Sequence, residues 1–470
     1  MTAPSIAVAL DLGTSHLKCL AVSSDGALIH QSQQATPYLA EPEVSVPAID
    51  AEAVRQWVEG TLKRWNQKSM TVAFSSAMHS FLALDQRQQL IDGAAYTWMD
   101  SRSAAQAWEK RQQVGLSWQQ KTGTPLHAMS VVSKWLWWQR SHPDMRPLKI
   151  VGLKDWIIFG LTGRWMTDWT SASGTGFLAL GSDTWDDLLL AEVGLESGQL
   201  PEIKSPAAAL EGSCGRFVVG GGDAALAHFG LDVAADDGQG VLSLGTSGAI
   251  RTNLRQPPLP LASNFFCYRA LAADEYLLGE AYSNIGSLLA FVAGQCRVSV
   301  ADLMERGLRR LRRGGSMPLF VPYVFGERSP YWEERLHWEW LEVDGTETSD
   351  DWMAAAVTAV VTILYGGSRQ LKAAVPRLRH LRSGSRLLDH QEFAQVIANV
   401  TELDLSVEEG LDASLLGAIR LASPRAWGEL VKGPKQRRSF SPQSRDVAFW
   451  QERWHKQVEA TKRQLDQLER

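Results

Sequence analysis

The chain opens on an apolar run, "SIAVAL" (5–10), then a polar turn, Asp11-Leu12-Gly13-Thr14-Ser15, then a second apolar run, "HLKCLAVS" (16–23). Short apolar runs bounded by turn residues predict buried strands. A third run, "ALIHQSQQ" (27–34), follows the Ser24-Asp25-Gly26 turn, so the first forty residues predict a strand meander. Beyond a loop bearing Pro37, Pro42 and Pro47, Asp50 is placed to cap a helix with Val54, Trp57, Thr61 or Leu62, and Trp65 on its apolar side. "TVAFSSAM" (71–78) predicts another buried strand ending at Met78-His79, and helices are expected over 103–113 and 130–140. "RFVVG" (216–220) reads as a strand entering "GGDAALAHFG" (221–230), a glycine turn that opens a helix. A second meander starts at "QGVLSLGTSGAIRT" (239–252). Near the end, Val447, Trp450, Trp454, Val458, Thr461, Leu465 and Leu468 recur at spacings of three and four, which predicts a terminal helix over 445–469 packed on the body.

One internal match bears on the architecture. "VALDLGTS" (8–15) and "GVLSLGTS" (240–247) share an apolar strand, Leu-Gly-Thr-Ser and a following apolar strand. Both copies start a meander, and they lie about half a chain apart. The economical reading is a duplicated domain, 1–231 and 232–470, each half offering a hairpin turn to a shared cleft.

The 470 residues suffice for two domains with separate cores. Hydrophobic residues at 45%, charged residues at 21% and a formal net charge of −5 describe an ordinary soluble protein with no global pull toward nucleic acid or anionic membranes. The basic runs "RGLRRLRR" (306–313) and "RLRHLRSGSR" (377–386) therefore read as solvated faces. The amino terminus does not read as a signal peptide, and the apolar stretch from Met353 falls short of the roughly 18 residues of a membrane span, so it is expected to be a buried helix. Cys19, Cys214, Cys267 and Cys296 form no C-x-x-C pair and fit reduced thiols. The expectation is a cytoplasmic protein with small-molecule partners, monomeric or homodimeric.

The turns carry the first candidate chemistry. A polyphosphate needs backbone N–H groups and hydroxyls aimed at its oxygens with no side chain in the way. Gly13 and Gly245 permit close approach, and Thr14, Ser15, Thr246 and Ser247 supply donors. Taken singly, either turn is equally an ordinary β-turn of small residues. Asp11 in the first copy is Ser243 in the second, and a carboxylate beside phosphates repels them unless a cation intervenes, so Asp11 suggests a Mg²⁺ site. Lys18 could offset phosphate charge, although alternation along its strand turns it outward.

Asp223, at the opening of a helix behind three glycines, reads either as a helix cap or as the carboxylate that accepts a hydroxyl proton during phosphoryl transfer. "VVGGGDAA" (218–225) only partly matches a dinucleotide fingerprint, and the acid expected about 20 residues on is missing. In "TWMDSR" (97–102), Trp98, Asp100 and Arg102 share one side if the segment is extended; they suit a polyol, or equally a buried indole beside a surface ion pair. His79 could donate to the same ligand.

Placed together, "DLGTSHLK" (11–18), "SSAMHSFLALD" (75–85), "WMDSRS" (98–103), "GGGDAALAHFG" (220–230), "SLGTSGAIR" (243–251) and "FVPYVFGERSPYW" (320–332) resemble the FGGY family of carbohydrate kinases over nearly the whole chain. The resemblance implies an α/β fold of two actin-like (ribonuclease-H-like) domains with ATP and sugar in the cleft between them. It also implies Asp223 as catalytic base, Asp11 as the metal-linked acid, the two Gly-Thr-Ser turns as phosphate motifs, and Met78, His79, Trp98, Asp100 and Arg102 as sugar contacts. Within the family, "KTGTPLHAMSVVSKWLWW" (121–138), "LKDWIIFGLTGRW" (153–165) and "NFFCYRAL" (264–271) look most like the gluconate kinases. Arg102 or Lys154 would then meet a substrate carboxylate. The chain departs from the family where a glycine-rich adenine loop is expected: Arg382 and Ser383 precede Gly384 there, and Ser383 and Gly384 are the candidate adenine contacts. The expectation is an ATP- and Mg²⁺-dependent gluconate kinase, with a ketopentose kinase and a binding protein that has lost transfer as the other readings.

Overall fold

The computed structural model describes residues 6–40, 47–65, 70–410, 412–432, 437–443 and 447–468. The chain divides into two compact units. The first comprises Met1–Ala235, Asn253–Leu277 and Leu411–Lys435; the second comprises Asp236–Thr252, Leu278–Gly410 and Gln436–Arg470. The chain thus leaves the first unit close to the expected boundary at 231/232 but returns to it twice. The first return is held by Gln119, whose amide donates to the carbonyls of Ser263 (3.1 Å) and Phe265 (2.6 Å). Trp169 adds an indole N–H bond to Ala270 O at 2.8 Å. Such long-range pairings leave no periodic trace in a sequence.

In the first unit the main-sheet strands are β1 (Ile6–Leu12), β2 (His16–Ser23), β3 (Leu28–Ala35), β4 (Met70–Ser76), β5 (Ala209–Gly212) and β6 (Gly215–Gly222). They form one sheet in the order β3-β2-β1-β4-β6-β5. The predicted meander is its antiparallel half, and β1, β4 and β6 run parallel at its centre. Central strands covered on both faces are apolar at successive positions, which is why "IAVALDL" shows no alternation. Its residues nonetheless divide by a period of two. Val8 and Leu10 face a core completed by the helices Ala51–Leu62 and Leu153–Thr162, whereas Ala7 and Ala9 face one completed by Leu226, Leu415 and Ile419.

Asp50 caps the helix Ala51–Leu62, accepting from Ala53 N at 2.9 Å. That helix buries Val54, Val58, Thr61 and Leu62, while Trp57 and Trp65 pack at the margin. The helices expected at 103–113 and 130–140 are Ala104–Val114 and Val131–Ser141.

In the second unit the main-sheet strands are β7 (Gln239–Leu244), β8 (Gly248–Leu254), β9 (Tyr276–Tyr282), β10 (His380–Ser383), β11 (Asp404–Glu408) and β12 (Arg437–Phe440). Six strands of the seven-stranded sheet follow the order β9-β8-β7-β10-β11-β12, which repeats the first unit's order over its first four strands and reverses the chain order of the last two. β7 pairs antiparallel with β8 and parallel with β10, just as β1 does with β2 and β4. The Leu-Gly-Thr-Ser match is therefore one visible remnant of a topological duplication.

The apolar stretch from Met353 lies in the helix Ser349–Ala374, which is largely buried. No single helix among the described residues is long and apolar enough to cross a membrane. The terminal helix is Ala448–Leu468; the ends of the expected range, 445–446 and 469, lie outside the described residues. Its buried residues are Arg453, Gln457, Ala460, Thr461 and Gln464, so much of its inner face is polar. Gln457 accepts from Thr362 Oγ1 at 2.7 Å, and Thr461 pairs with Tyr323 Oη at 2.8 Å. An apolar-spacing rule sees the rim of this face, Trp454, Val458 and Leu465, and misses its hydrogen-bonded centre.

The helix Asp223–Gly230 crosses the helix Ala413–Ala422 backbone to backbone. A Cβ on Gly417 would lie 2.1 Å from Leu226 O, and one on Gly230 would lie 2.2 Å from Ala413 O. A methyl there meets backbone that cannot yield locally. Gly417→Ala is expected to lower stability by about 1–3 kcal/mol in urea unfolding, whereas Gly428→Ala, inside the helix Pro424–Lys432 with open space around it, raises it by up to about 1 kcal/mol. Equal effects would refute the close crossing.

Candidate active site

Asp11 lies on the central strand β1 and pairs in register with Lys18 on β2. Residues opposite one another across an antiparallel pair point to the same face. Lys18 therefore does not turn outward as alternation suggested: its ammonium lies 3.4 Å from Asp11 Oδ2 and 2.7 Å from Asp412 Oδ2. Asp11 Oδ1 accepts from the buried Ser75 hydroxyl on β4 at 2.7 Å. Asp412, the N-cap of the helix Ala413–Ala422, also accepts from Ser414 N (2.9 Å) and Ser414 Oγ (2.7 Å).

Burial and the Asp412 charge push Asp11 up to about 6, outweighing Lys18 and the Ser75 hydrogen bond, and Asp223 pushes the same way. Burial opposes the charged form of Lys18, yet Asp11 and Asp412 hold its pKa above the ordinary range. Burial likewise works against the Asp412 carboxylate, and Lys18 and Ser414 still hold it below the usual value. Asp412 was missed at the sequence level, though the Asp-Ala-Ser opening of "DASLLGAIRLA" (412–422) is a helix-cap signature.

Beside this cluster lie the first unit's residues expected to contact phosphate. Gly13 and Thr14 form the tip of the β1–β2 hairpin, steadied by Thr36 Oγ1 donating to Gly13 O (2.7 Å) and Tyr38 Oη donating to Thr14 O (2.6 Å). Ser15 is exposed at that tip. In the second unit, Gly245, Thr246 and Ser247 form the β7–β8 turn. Gly286 N and Ser287 N, opening the helix Gly286–Cys296, donate to Gly245 O (3.0 Å) and Thr246 O (2.9 Å). Ser243, in the place of Asp11, accepts from Arg251. Ser383 ends β10 and is buried; Gly384 is exposed beyond it. Arg382 turns to Glu408 on β11, its Nε 2.8 Å from Oε1. The arginine standing where glycine was expected is thus folded into the sheet's own ion pairing.

Asp223 opens the helix Asp223–Gly230, its side chain exposed and Oδ1 accepting from Ala224 N at 2.7 Å. Met78, His79 and Lys154 line one cavity, with Ser76, Asp155 and Thr167. His79 Nδ1 pairs with Gly174 O at 2.9 Å and its ring meets Tyr268 edge-on at 5.7 Å. Lys154 is buried between Asp168 (3.0 Å) and Asp155 (3.4 Å). Trp98, Asp100 and Arg102 do not line that cavity. Their segment is not extended but turns at Trp98-Met99, so the one-sided alternation does not arise. Asp100 instead grips Arg102, with Nη2 to Oδ2 at 2.6 Å, and the guanidinium lies 4.7 Å from the Tyr96 ring centre and 5.0 Å from that of Trp137.

The N-terminal domain model of the FGGY family of carbohydrate kinases matches residues 6–216, and the C-terminal domain model matches residues 240–425. The chain belongs to the FGGY family of carbohydrate kinases. Its fold is that family's two-domain actin-like α/β fold. Gluconokinases of Bacillus licheniformis and Bacillus subtilis are each 26% identical to it, over 88% of this chain and 86% of theirs. A xylulose kinase of Streptomyces rubiginosus is 29% identical over 66% of this chain and 72% of its own. Among solved structures, a gluconate kinase from Lactobacillus acidophilus superposes with a TM-score of 0.86 at 23% identity, covering 97% of this chain and 98% of that one.

The raised Asp11 pKa has a measurable consequence. Its folded carboxyl keeps the proton to higher pH than an unfolded aspartate, so the folded state binds more protons between 3.8 and about 6 and loses stability as pH rises through that window. In Mg²⁺-free buffer, Asp11→Asn is expected to be the more stable protein at pH 8, by on the order of 1–3 kcal/mol, with the difference gone near pH 3.5. Urea unfolding at both pH values checks this. A difference independent of pH would mean that Asp11 carries no such burden.

Proposed function

We propose that this carbohydrate kinase transfers the γ-phosphoryl group of ATP to the terminal hydroxyl of D-gluconate, giving 6-phosphogluconate, with Mg²⁺ required. The observation that carries the reaction is the pairing of an exposed carboxylate at a helix opening, Asp223, with a buried carboxylate close enough to feel its charge, Asp11. The two suit different tasks. Asp223, exposed at the helix opening, suits meeting an acceptor hydroxyl and taking its proton as the phosphorus–oxygen bond forms. Asp11, fixed by Ser75 and Lys18, suits a divalent cation.

The donor chemistry fits magnesium, a hard ion usually held by one or two carboxylates together with substrate phosphates and water. Asp11 would hold it, directly or through water, and when bound it would offset the charge of the transferring phosphoryl group. Lys18 adds a fixed positive charge beside the same carboxylate. Gly13, Thr14 and Ser15, with Gly245, Thr246 and Ser247, would supply phosphate contacts, and Ser383 and Gly384 would lie against the adenine.

Gluconate as acceptor rests on the two gluconokinase relatives aligned along most of the chain and on two cations beside proposed sugar contacts, Lys154 in the cavity with Met78 and His79, and Arg102 on Asp100. Arg102 and Lys154 are the candidates for its carboxylate. Both already hold aspartates, so a substrate carboxylate would join an existing ion pair. The second reading, a ketopentose acceptor, is favoured by the xylulose kinases among the relatives.

ADP release, followed with ATP, Mg²⁺ and a panel of gluconate, other sugar acids, xylulose, ribulose and glycerol, separates these readings. Gluconate is expected to dominate, and preference for a neutral sugar would replace the substrate while keeping the chemistry. Asp223→Asn is expected to lose at least about 10²-fold in kcat, as removal of a general base does, while keeping its thermal transition. Near-normal turnover in that variant would sink the assignment of the base.

A further inference from the structure

The turn that carries Asp223 is held by a residue that takes no part in the proposed chemistry, and the following inference rests on Asp223 being the base. Strand β6 does not run evenly into it. Its register against β4 shifts between Val218 and Gly221, and Gly220 within that shift takes φ +75°, the left-handed region. Such a bulge re-aims the chain beyond it and leaves the strand end dependent on other contacts for its direction.

One such contact comes from the helix Trp169–Ser173. Gly222 N, the last amide before Asp223, donates to Thr170 Oγ1 at 2.9 Å. The Thr170 hydroxyl in turn donates to Asp168 Oδ1. Asp168 Oδ1 also accepts from Thr170 N (2.8 Å) and Ser171 N (3.1 Å), and its Oδ2 accepts from Ser171 Oγ (2.6 Å) and pairs with Lys154 (3.0 Å). Asp168 and Thr170 are essentially inaccessible, and Lys154 nearly so. Although burial disfavours the charge, Lys154, Ser171 and Thr170 hold Asp168 below the usual carboxylate range, so it stays ionised. A buried anion that accepts from the threonine hydroxyl polarises that hydroxyl toward accepting from Gly222. Cap needs alone do not explain the link: the hydroxyl reaches 52 residues along the chain to the one amide preceding Asp223.

We propose that Thr170, anchored by the buried Asp168–Lys154 pair, is a positioning residue that sets the direction of the Gly222–Asp223 turn and so aims the Asp223 carboxylate. Thr170→Val keeps the shape and removes the hydroxyl; Thr170→Ser keeps the hydroxyl. With the best acceptor from the panel, Thr170→Val is expected to lower kcat 10- to 100-fold, the scale of a misplacement near an ångström. KM for acceptor and for ATP should stay within about 2-fold if only alignment is lost, and Thr170→Ser should recover most of kcat. Hydrogen exchange of the peptide spanning Gly222 should quicken in the valine variant and not in the serine one. If valine fails to fold, Thr170→Ala serves in its place.

A valine variant with normal kcat, or a serine variant that fails equally, overturns the proposal, as does a loss borne by KM alone. The underlying reading fails separately. Full turnover in Asp223→Asn removes the base, and with it the reason for aiming it, whereas an inactive Asp223→Asn beside a fully active Thr170→Val removes only the positioning role.

Discussion

The ion cluster of Asp11, Lys18 and Asp412 is the constraint on which the first unit's site depends. A carboxylate on a central strand, with β2 on one side and β4 on the other, is costly to ionise. It is tolerated because Lys18 stands directly opposite and the Ser75 hydroxyl donates from the neighbouring parallel strand. Lys18 in turn needs a second anion, which arrives from nearly four hundred residues away as the cap of the helix Ala413–Ala422. That requirement ties the carboxyl-terminal return of the chain to the first hairpin. The same helix then fixes its neighbour: Gly417 and Gly230 bring its backbone against the helix that Asp223 opens. One electrostatic need and one steric allowance therefore place Asp223 relative to Asp11.

Much of this was legible in the sequence where the signal is local. The apolar runs of β1 and β2, the cap at Asp50, the strand ending before Met78 and the glycine turn before Asp223 each follow from a few adjacent residues. The repeated Leu-Gly-Thr-Ser also pointed to the duplication, because a hairpin tip constrains composition more tightly than a strand does. Illegible were the features set by partners far along the chain. Lys18 looked outward because alternation describes a strand and not the anion across from it. The segment 97–102 looked extended, whereas Asp100 curls onto Arg102. The tail helix looked apolar inside because periodicity cannot see Gln457 meeting Thr362.

Two of the first unit's buried charge groups differ in their balance. At Asp168 one carboxylate has Lys154, two hydroxyls and two backbone amides, and its pKa falls despite burial. At Asp11 one lysine is shared between two carboxylates with a third nearby, and the pKa rises. The first group is electrostatically complete and suits a supporting role. The second carries surplus negative charge and is stabilised by whatever cation joins it. Perturbed ionisation concentrates where charge is to be handled, so the contrast is in keeping with Asp11 belonging to the proposed site and Asp168 to its support.

The departures from the family pattern in the second unit fit the same logic. Arg382 is taken up by Glu408 within the sheet, and Arg437 also reaches that glutamate at 3.0 Å. The guanidinium is thus directed along the sheet by a partner it shares with a second arginine. Exposed backbone remains at Gly384, and Ser385 Oγ accepts from Leu244 N at 2.7 Å, joining this loop to the end of the strand that leads into the Gly245-Thr246-Ser247 turn. A side chain where glycine was expected alters a neighbouring surface only if it points there, and the Glu408 pairing holds this one, at the end of β10, along the sheet. Through Ser385 the loop is tied instead to the strand end that carries the second turn proposed to hold phosphate.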